Sequence, residues 1–389
     1  MTRAAALVVV LSACGFRHGA SSGGGPSDGP PDSPRDAAID VPADTLDAYV
    51  PPVAHRKPIV LQGSKIAGAE VDFPVWIDLA DSDLASRARP DGTDIFFTDA
   101  AGTPLDYEIE HWDRQAPELQ AWVRIPSLAQ ADTTIYVEYG LLAKATAPNP
   151  TGVFRSSFAA VWHLDDALSA TTVVDTTTAR DGTAMNLTPA AQVPGQLAGG
   201  IAFDGSNTSH IDFASPFTGA ATASAHTISA WVQQKPTAHT SAIVVMGTNG
   251  TDNSRFLYGY AGNGHGSNVG AGYYGDDWYP GAPDIESATV WTYVVWMSKG
   301  NKENHLYVNG AEIAGSPHNV AANPATSGSA GYIGYAPSPA YGIDNGFYGT
   351  LDELRIATVM RDGPWVTTEY NNQSSPSTFY TVGAEQVAP

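Results

Sequence analysis

From His55 onward, hydrophobic residues recur at every second position in short runs. Val71, Phe73, Val75, Ile77 and Leu79 alternate with Asp72, Pro74, Trp76 and Asp78. Leu119, Ala121, Val123 and Ile125 alternate in the same way with Gln120, Trp122 and Arg124, and Ile135, Val137 and Tyr139 repeat the pattern before Gly140. A period of two is that of a strand with one buried face. Turn signals such as Asp91-Gly92 and Ala101-Gly102 separate the runs, and no long helical pattern interrupts them. The spacing predicts a β-sandwich over residues 55–148.

Residues 141–151, with Pro148 and Pro150, read as a short linker, and a second all-β domain is expected over 149–389. Ile228, Ala230 and Val232 alternate with polar residues and Trp231. Between Val290 and Met297 both faces are apolar, as in a central strand covered on both sides. Asn309-Gly310 within His305–Ile313 is the signature of a type I′ hairpin. Leu351 lies on one parity while Leu354 and Ile356 lie on the other. One inserted residue near Asp352-Glu353 restores all three to the core, so a β-bulge is expected there as a possible ligand corner, against the alternative of an ordinary strand end. The only helical candidate is about Trp365 to Asn371, with Pro364 in its first turn and Asp362 as cap, read as a lid on a sandwich edge.

The chain of 389 residues suits two such domains. Its net charge of -21 argues against nucleic acid or an anionic membrane surface as partner. The N-terminus reads as a targeting segment: Arg3, then an apolar run from Ala4 to Leu11 that is too short to span a bilayer. It ends in Leu11-Ser12-Ala13-Cys14, which resembles the bacterial lipobox, and Cys14 is the only cysteine. The resemblance implies cleavage before Cys14 and its acylation, so residues 1–14 are expected to be a lipoprotein signal and the protein to sit, lipid-anchored, at the outer membrane or cell surface. Residues 15–54 are rich in Gly, Ser, Pro and Asp with few apolar positions, and are expected to form a disordered tether.

Two families are resembled. Asp91-Gly92-Thr93-Asp94-Ile95, Leu105 to Trp112, Ala121 to Pro126 and Ile135 to Gly140 together resemble a bacterial extracellular domain of unknown function. Val161 to Asp165, Ile201 to Gly205, Thr227 to Val232, Leu306 to Gly310 and Tyr348 to Ile356 resemble a laminin-G-like module of the concanavalin A-like jelly-roll class. The implied fold is all-β: two β-sandwich domains, the second a concanavalin A-like jelly roll. Laminin-G-like modules often hold one Ca²⁺, and the resemblance implies Asp165, Asp175 and Asp352 as its ligands here, an all-oxygen set of the kind a hard cation takes.

Asp106, Glu108 and Glu110 fall on one face of a strand, as the carboxylates of a glucanase do. Leu105, Tyr107 and Ile109 already supply the buried face, so the acids are read as a solvated face, and no catalytic residue is assigned. The scattered histidines, His163, His210, His226, His239, His265 and His305, are read mostly as surface residues. Tyr258, Tyr260, Tyr273, Tyr274, Trp278 and Tyr279, among many glycines, offer ring faces on which sugars stack; the alternative is that alternate tyrosines face the core. The expectation is a non-catalytic envelope lipoprotein binding carbohydrate or another surface ligand, its partner a glycan or an envelope protein. Its rivals are a structural or assembly role beside an envelope energy-transducing complex, and a glycan hydrolase.

Overall fold

The computed structural model describes residues 53–389 except 156, 218–223, 238–239, 248–253, 260–267, 274–275, 282, 301–302, 320–327 and 338–345. Cys14, the tether as far as residue 52, Tyr260 and Tyr274 therefore lie outside the described residues. The structure is nearly all β, as the periodicity predicts. In the first sandwich one sheet runs in the order Tyr380–Val382, His55–Leu61, Thr133–Tyr139, Phe96–Asp99. The facing sheet runs Glu70–Ala80, Glu118–Leu128, Tyr107–Asp113. Between them lie the alternating residues of the sequence pattern: Phe73, Val75, Ile77, Leu119, Ala121, Val123, Ile135 and Val137.

The second sandwich faces a nine-stranded sheet against an eight-stranded one. In the nine-stranded sheet the bulged strand Tyr348–Ala357 lies between Gly199–Asp204 and His226–Gln234, followed by Thr292–Ser298 and Glu303–Val308. Thr292–Ser298 is central and buried along its whole length, as its two apolar faces require. Asn309 and Gly310 take φ of 50° and 76°, the positive values of a type I′ turn.

The four sheets stack. The outward positions of the first sandwich, Trp76 and Trp122, are 1% and 0% exposed and meet Trp231, Tyr293, Val295 and Met297 on the outer face of the nine-stranded sheet. Around these indoles both middle sheets are covered on both faces, and all the described residues fall within one compact unit. Burying one indole removes roughly 150–250 Å² from water, worth an upper limit of about 4–6 kcal/mol at 25 cal/mol per Å².

The helix Gly363–Ser374 joins the sandwiches. Asp362 caps it, accepting from Trp365 N at 2.8 Å, and Pro364 stands in its first turn as expected. It closes a sandwich edge in a specific way. Glu70–Ala80 is an edge strand, and Asn372 completes it: its Oδ1 accepts from Trp76 N at 2.7 Å and its Nδ2 donates to Trp76 O at 3.0 Å. Beyond the helix the chain departs from the expected boundary at 148/149. Tyr380–Val382 and Gln386–Val387 pair with His55–Leu61, and Trp365, Phe379 and Tyr380 enter the first sandwich's core. The last residues complete the first domain.

Candidate functional site

Three backbone irregularities aim three side chains at one point of the seam between the sandwiches. The pairing of Tyr107–Asp113 with Glu118–Leu128 steps from Ile109 opposite Ala121 to His111 opposite Gln120, so Glu110 is an inserted bulge residue. In the bulged strand Asp352 lies opposite Trp231 and Arg355 opposite Ser229, so Glu353 and Leu354 share one partner position. This is the bulge predicted near Asp352-Glu353, and Glu353 adopts a φ of 52°. His163 follows the strand Phe158–Trp162 and precedes Leu164, whose φ is 64°. A positive φ at a non-glycine residue costs on the order of 1–3 kcal/mol, which the surroundings must offset.

The imidazole of His163 sits among three carboxylates. Its Nδ1 lies 2.7 Å from Glu353 Oε1 and 2.9 Å from Glu110 Oε1, and its Nε2 lies 3.3 Å from Glu108 Oε2. Trp122 Nε1 donates to Glu110 Oε1, and Thr176 Oγ1 donates to Glu108 Oε1 at 2.7 Å. Glu353 Oε2 accepts from Arg355 Nε and Nη2 at 3.0 and 2.6 Å. Arg355 Nη1 donates to Glu369 Oε1 at 2.8 Å, and Tyr293 Oη to Glu369 Oε2 at 2.7 Å. The guanidinium also lies over the Trp122 ring, 4.2 Å from its centroid. Side-chain exposure is 8% for His163, 3% for Glu110, 1% for Glu353 and 16% for Glu108.

These surroundings set the protonation states. Burial works against a charged His163, but Glu110, Glu353 and Glu108 outweigh it and hold the imidazolium well above its ordinary range. Burial, reinforced by Glu353, pushes Glu110 up to about 7. Burial likewise opposes ionisation of Glu353, but His163 and Arg355 prevail and lower it. Burial and the neighbouring Glu353 raise Asp352 well above the usual carboxylate range. Glu110, His163 and Glu353 offer ligand atoms within 4.8 Å of one another, and among the described residues they are the group so arranged.

The residues expected from sequence fall differently. The acid face is not solvated: Glu108 and Glu110 are covered by the second sandwich, and Asp106 is held by Arg124 at 2.5 Å and Asn149 at 2.7 Å. His163 and His226 are buried rather than superficial. Among the described residues, the group that brings three ligand atoms together does not include Asp165, Asp175 or Asp352. Asp175 is 0% exposed, and its oxygens accept from the backbone N of Val161, Thr177, Ala179 and Arg180 and from Thr177 Oγ1. It organises the loop between the strands Thr172–Val173 and Gly182–Met185. Asp352 Oδ2 accepts from Gln196 N and Leu197 N, while its Oδ1 is buried without a partner among the described residues. Asp165 lies beside the cluster, where burial raises its pKa.

The aromatic stretch divides. Tyr273 is 0% exposed, donates to Ser298 Oγ at 3.2 Å and packs edge-on against Trp296, while Trp278 is 6% exposed and stacks on His318. Both belong to the jelly-roll interior, as alternation along a strand with one apolar face dictates. Tyr258 and Tyr279 are half-buried. Open space lies elsewhere. A cleft of about 670 Å³ on the first sandwich is lined by Asp91, Thr93, Ile109, Glu110, Trp112 and Thr146, among others. A second, of about 350 Å³, is bordered by Asn186, Asp204, Ser209, Lys235 and Tyr348 on the jelly roll.

A family model described as the concanavalin A-like lectin/glucanases superfamily (Laminin_G_3) matches residues 204–367. A domain of unknown function, DUF2341, matches residues 91–177, and so takes in Glu108, Glu110 and His163. A search of curated proteins finds no similar sequence. Among solved structures, domain 4 of AbnA, an extracellular arabinanase from Geobacillus stearothermophilus in complex with arabinotriose, is 17% identical over 55% of this chain and 98% of that one, with a TM-score of 0.41. The Trypanosoma rangeli sialidase is 14% identical over 63% of this chain and 42% of its own, also at 0.41. The binding domain of Paraclostridial Mosquitocidal Protein 1 is 13% identical over 55% of this chain and 52% of that one, again at 0.41. The chain thus contains a concanavalin A-like domain of the laminin-G type, preceded by a domain of a family of unknown function.

Proposed function

We propose that this protein is a lipid-anchored component of a bacterial cell envelope that binds carbohydrate, or another surface ligand, without transforming it. The observation that carries the reading is the jelly roll itself, matched to the concanavalin A-like lectin/glucanase class over residues 204–367. Against catalysis stands the state of the acids. A glycosidase needs one carboxyl free to give a proton and another open to the sugar. Glu110 borders the cleft of the first sandwich, but its carboxylate and that of the buried Glu353 are both held at His163 Nδ1, and Glu353 is also paired with Arg355. Anchoring rests on the Leu11-Ser12-Ala13-Cys14 segment.

The full chain applied to a glycan array, with and without Ca²⁺, is expected to retain a defined set of glycans and to release no reducing sugar from them. Sugar release abolished by Glu110→Gln would overturn the non-catalytic reading; an array without retained glycans would overturn the carbohydrate reading. Mass spectrometry of the mature N-terminus is expected to find acylated Cys14, and Cys14→Ser to free the chain from the membrane fraction.

A further inference from the structure

The seam holds more carboxylate than its fixed cation balances. Glu108, Glu110, Asp165, Asp352 and Glu353 lie in contact or within electrostatic reach around His163, and Glu369 joins them through Arg355; among the described residues the guanidiniums in reach of the group are those of Arg355 and, beside Glu369, Arg361. Buried charge of one sign is not stable without a partner. As an imidazolium His163 is the partner at hand, and once a cation displaces its proton its geometry is that of a ligand. Nδ1 faces two carboxylate oxygens, Glu110 Oε1 and Glu353 Oε1, at 2.9 and 2.7 Å. Nε2 faces a third, Glu108 Oε2, at 3.3 Å. A carboxylate behind the far nitrogen of a histidine fixes its tautomer and ring orientation, as it does behind metal-bound imidazoles.

A second observation points the same way. Asp352 is 1% exposed, and its Oδ1 has no hydrogen-bond partner among the described residues. Asp352 is registered opposite Trp231, whose indole belongs to the apolar cluster of the seam, so its side chain stands on the sheet face that carries Glu353 and Arg355. An orphaned carboxylate oxygen on that face is costly unless something positive meets it.

We propose that Glu110, His163 and Glu353 form a divalent-cation site that ties the two sandwiches together, with Glu108 orienting the imidazole and the orphaned Asp352 carboxylate beside it. One nitrogen and several carboxylate oxygens suit Zn²⁺. Ca²⁺ takes six to eight oxygens and has no use for the imidazole, so the ion is of the zinc class rather than calcium. The donors come from three distant segments, on Tyr107–Asp113, after Phe158–Trp162 and on Tyr348–Ala357. The ion therefore braces domains that the sequence divides.

The metal content of the full chain, purified from Zn²⁺-supplemented cells, is measured by mass spectrometry before and after chelation. The stripped chain is then titrated with Zn²⁺ by calorimetry. About one Zn²⁺ per chain is expected, with a melting transition that rises in Zn²⁺ and is unmoved by an equal concentration of Ca²⁺. Glu110→Gln is expected to weaken binding at least tenfold, on the order of 1.4 kcal/mol. Glu108→Gln should weaken it by roughly ten- to a hundredfold. His305 lies between Glu303 and Glu312 at the surface and is the rival zinc binder; His305→Asn should leave the stoichiometry at about one. A wild-type chain that carries and takes up no Zn²⁺ overturns the proposal and leaves His163 as an imidazolium clamp. Uptake lost in His305→Asn and kept in Glu110→Gln overturns it equally.

Discussion

The nine-stranded sheet has two buried faces, and they are built by different rules. Its inner face presents Trp162, Ile228, Ala230, Val232, Val294, Leu354 and Ile356 to the jelly-roll core, and is apolar except at one end, where the buried His226 meets Arg255. Its outer face presents Trp231, Tyr293, Val295 and Met297 to the first sandwich, and sets Glu353 and Arg355 among them. An apolar core tolerates exchange of one hydrocarbon for another of like size. A face with buried charges tolerates no loss of a partner, because each ion left alone bears its full desolvation cost. The inner face specifies that the jelly roll closes; the outer one also specifies against what, and in which register.

The sharpest test of that contrast sets Arg355 against its neighbour Ile356, which faces the other way. Arg355→Met strands Glu353 and Glu369 in the seam and is expected to cost about 3–5 kcal/mol in urea denaturation. Ile356→Val removes one methylene from the inner face and should cost about 0.5–1.5 kcal/mol. Adding Glu369→Gln to Arg355→Met should recover part of the loss, since one stranded charge is then gone. Equal costs for the two single substitutions would end the distinction between the faces.

Next in size is Asp175, where loop architecture and ion binding make different claims on one carboxylate. Its oxygens accept from four backbone N–H groups and a hydroxyl, all in or beside the loop it organises. Asp175→Ala leaves those donors without a partner and is expected to cost about 1–3 kcal/mol. The loss should be the same with millimolar Ca²⁺ or with chelator present. A cost that appears only with calcium would return Asp175 to the role of a metal ligand.

The strands, the hairpin at Asn309-Gly310, the bulge at Glu353 and the cap at Asp362 are all legible in the sequence, because each rests on contacts a few residues apart. The seam is not, because alternation assigns residues to two faces without saying what covers the second. Asp106, Glu108 and Glu110 read as wet for that reason, and His163, some fifty residues away, reads as incidental. One signal was present: Trp76 and Trp122 stand at the supposedly solvated positions of their strands, and two indoles on one outer face imply a cover. The return of Tyr380–Val382 to the first sandwich left no such trace, since three residues carry no periodicity.

The smallest expected effect lies at the end of the seam, at Glu70. It is 8% exposed, and its Oε1 has no hydrogen-bond partner among the described residues. Burial, with Asp362 and Glu369 nearby and only Arg361 opposing, pushes its carboxyl up to about 7. The sign of the consequence is fixed by linkage. A carboxyl whose pKa is raised on folding favours the folded state while protonated, and that contribution is lost as pH climbs from its unfolded value, about 4.3, through 7. Gln cannot ionise, so Glu70→Gln should match the wild-type protein near pH 4 and melt higher at pH 8. At face value the shift is worth roughly 3–4 kcal/mol, but solvent screening at this edge leaves about 1 kcal/mol, which is about 2 °C in a chain of this size. Glu70 also borders the helix that spans the seam, through the approach of Gly68 to Pro364. Melting curves that coincide at both pH values would show water reaching Glu70, and would confine the charge-bearing character of the outer face to the neighbourhood of Arg355.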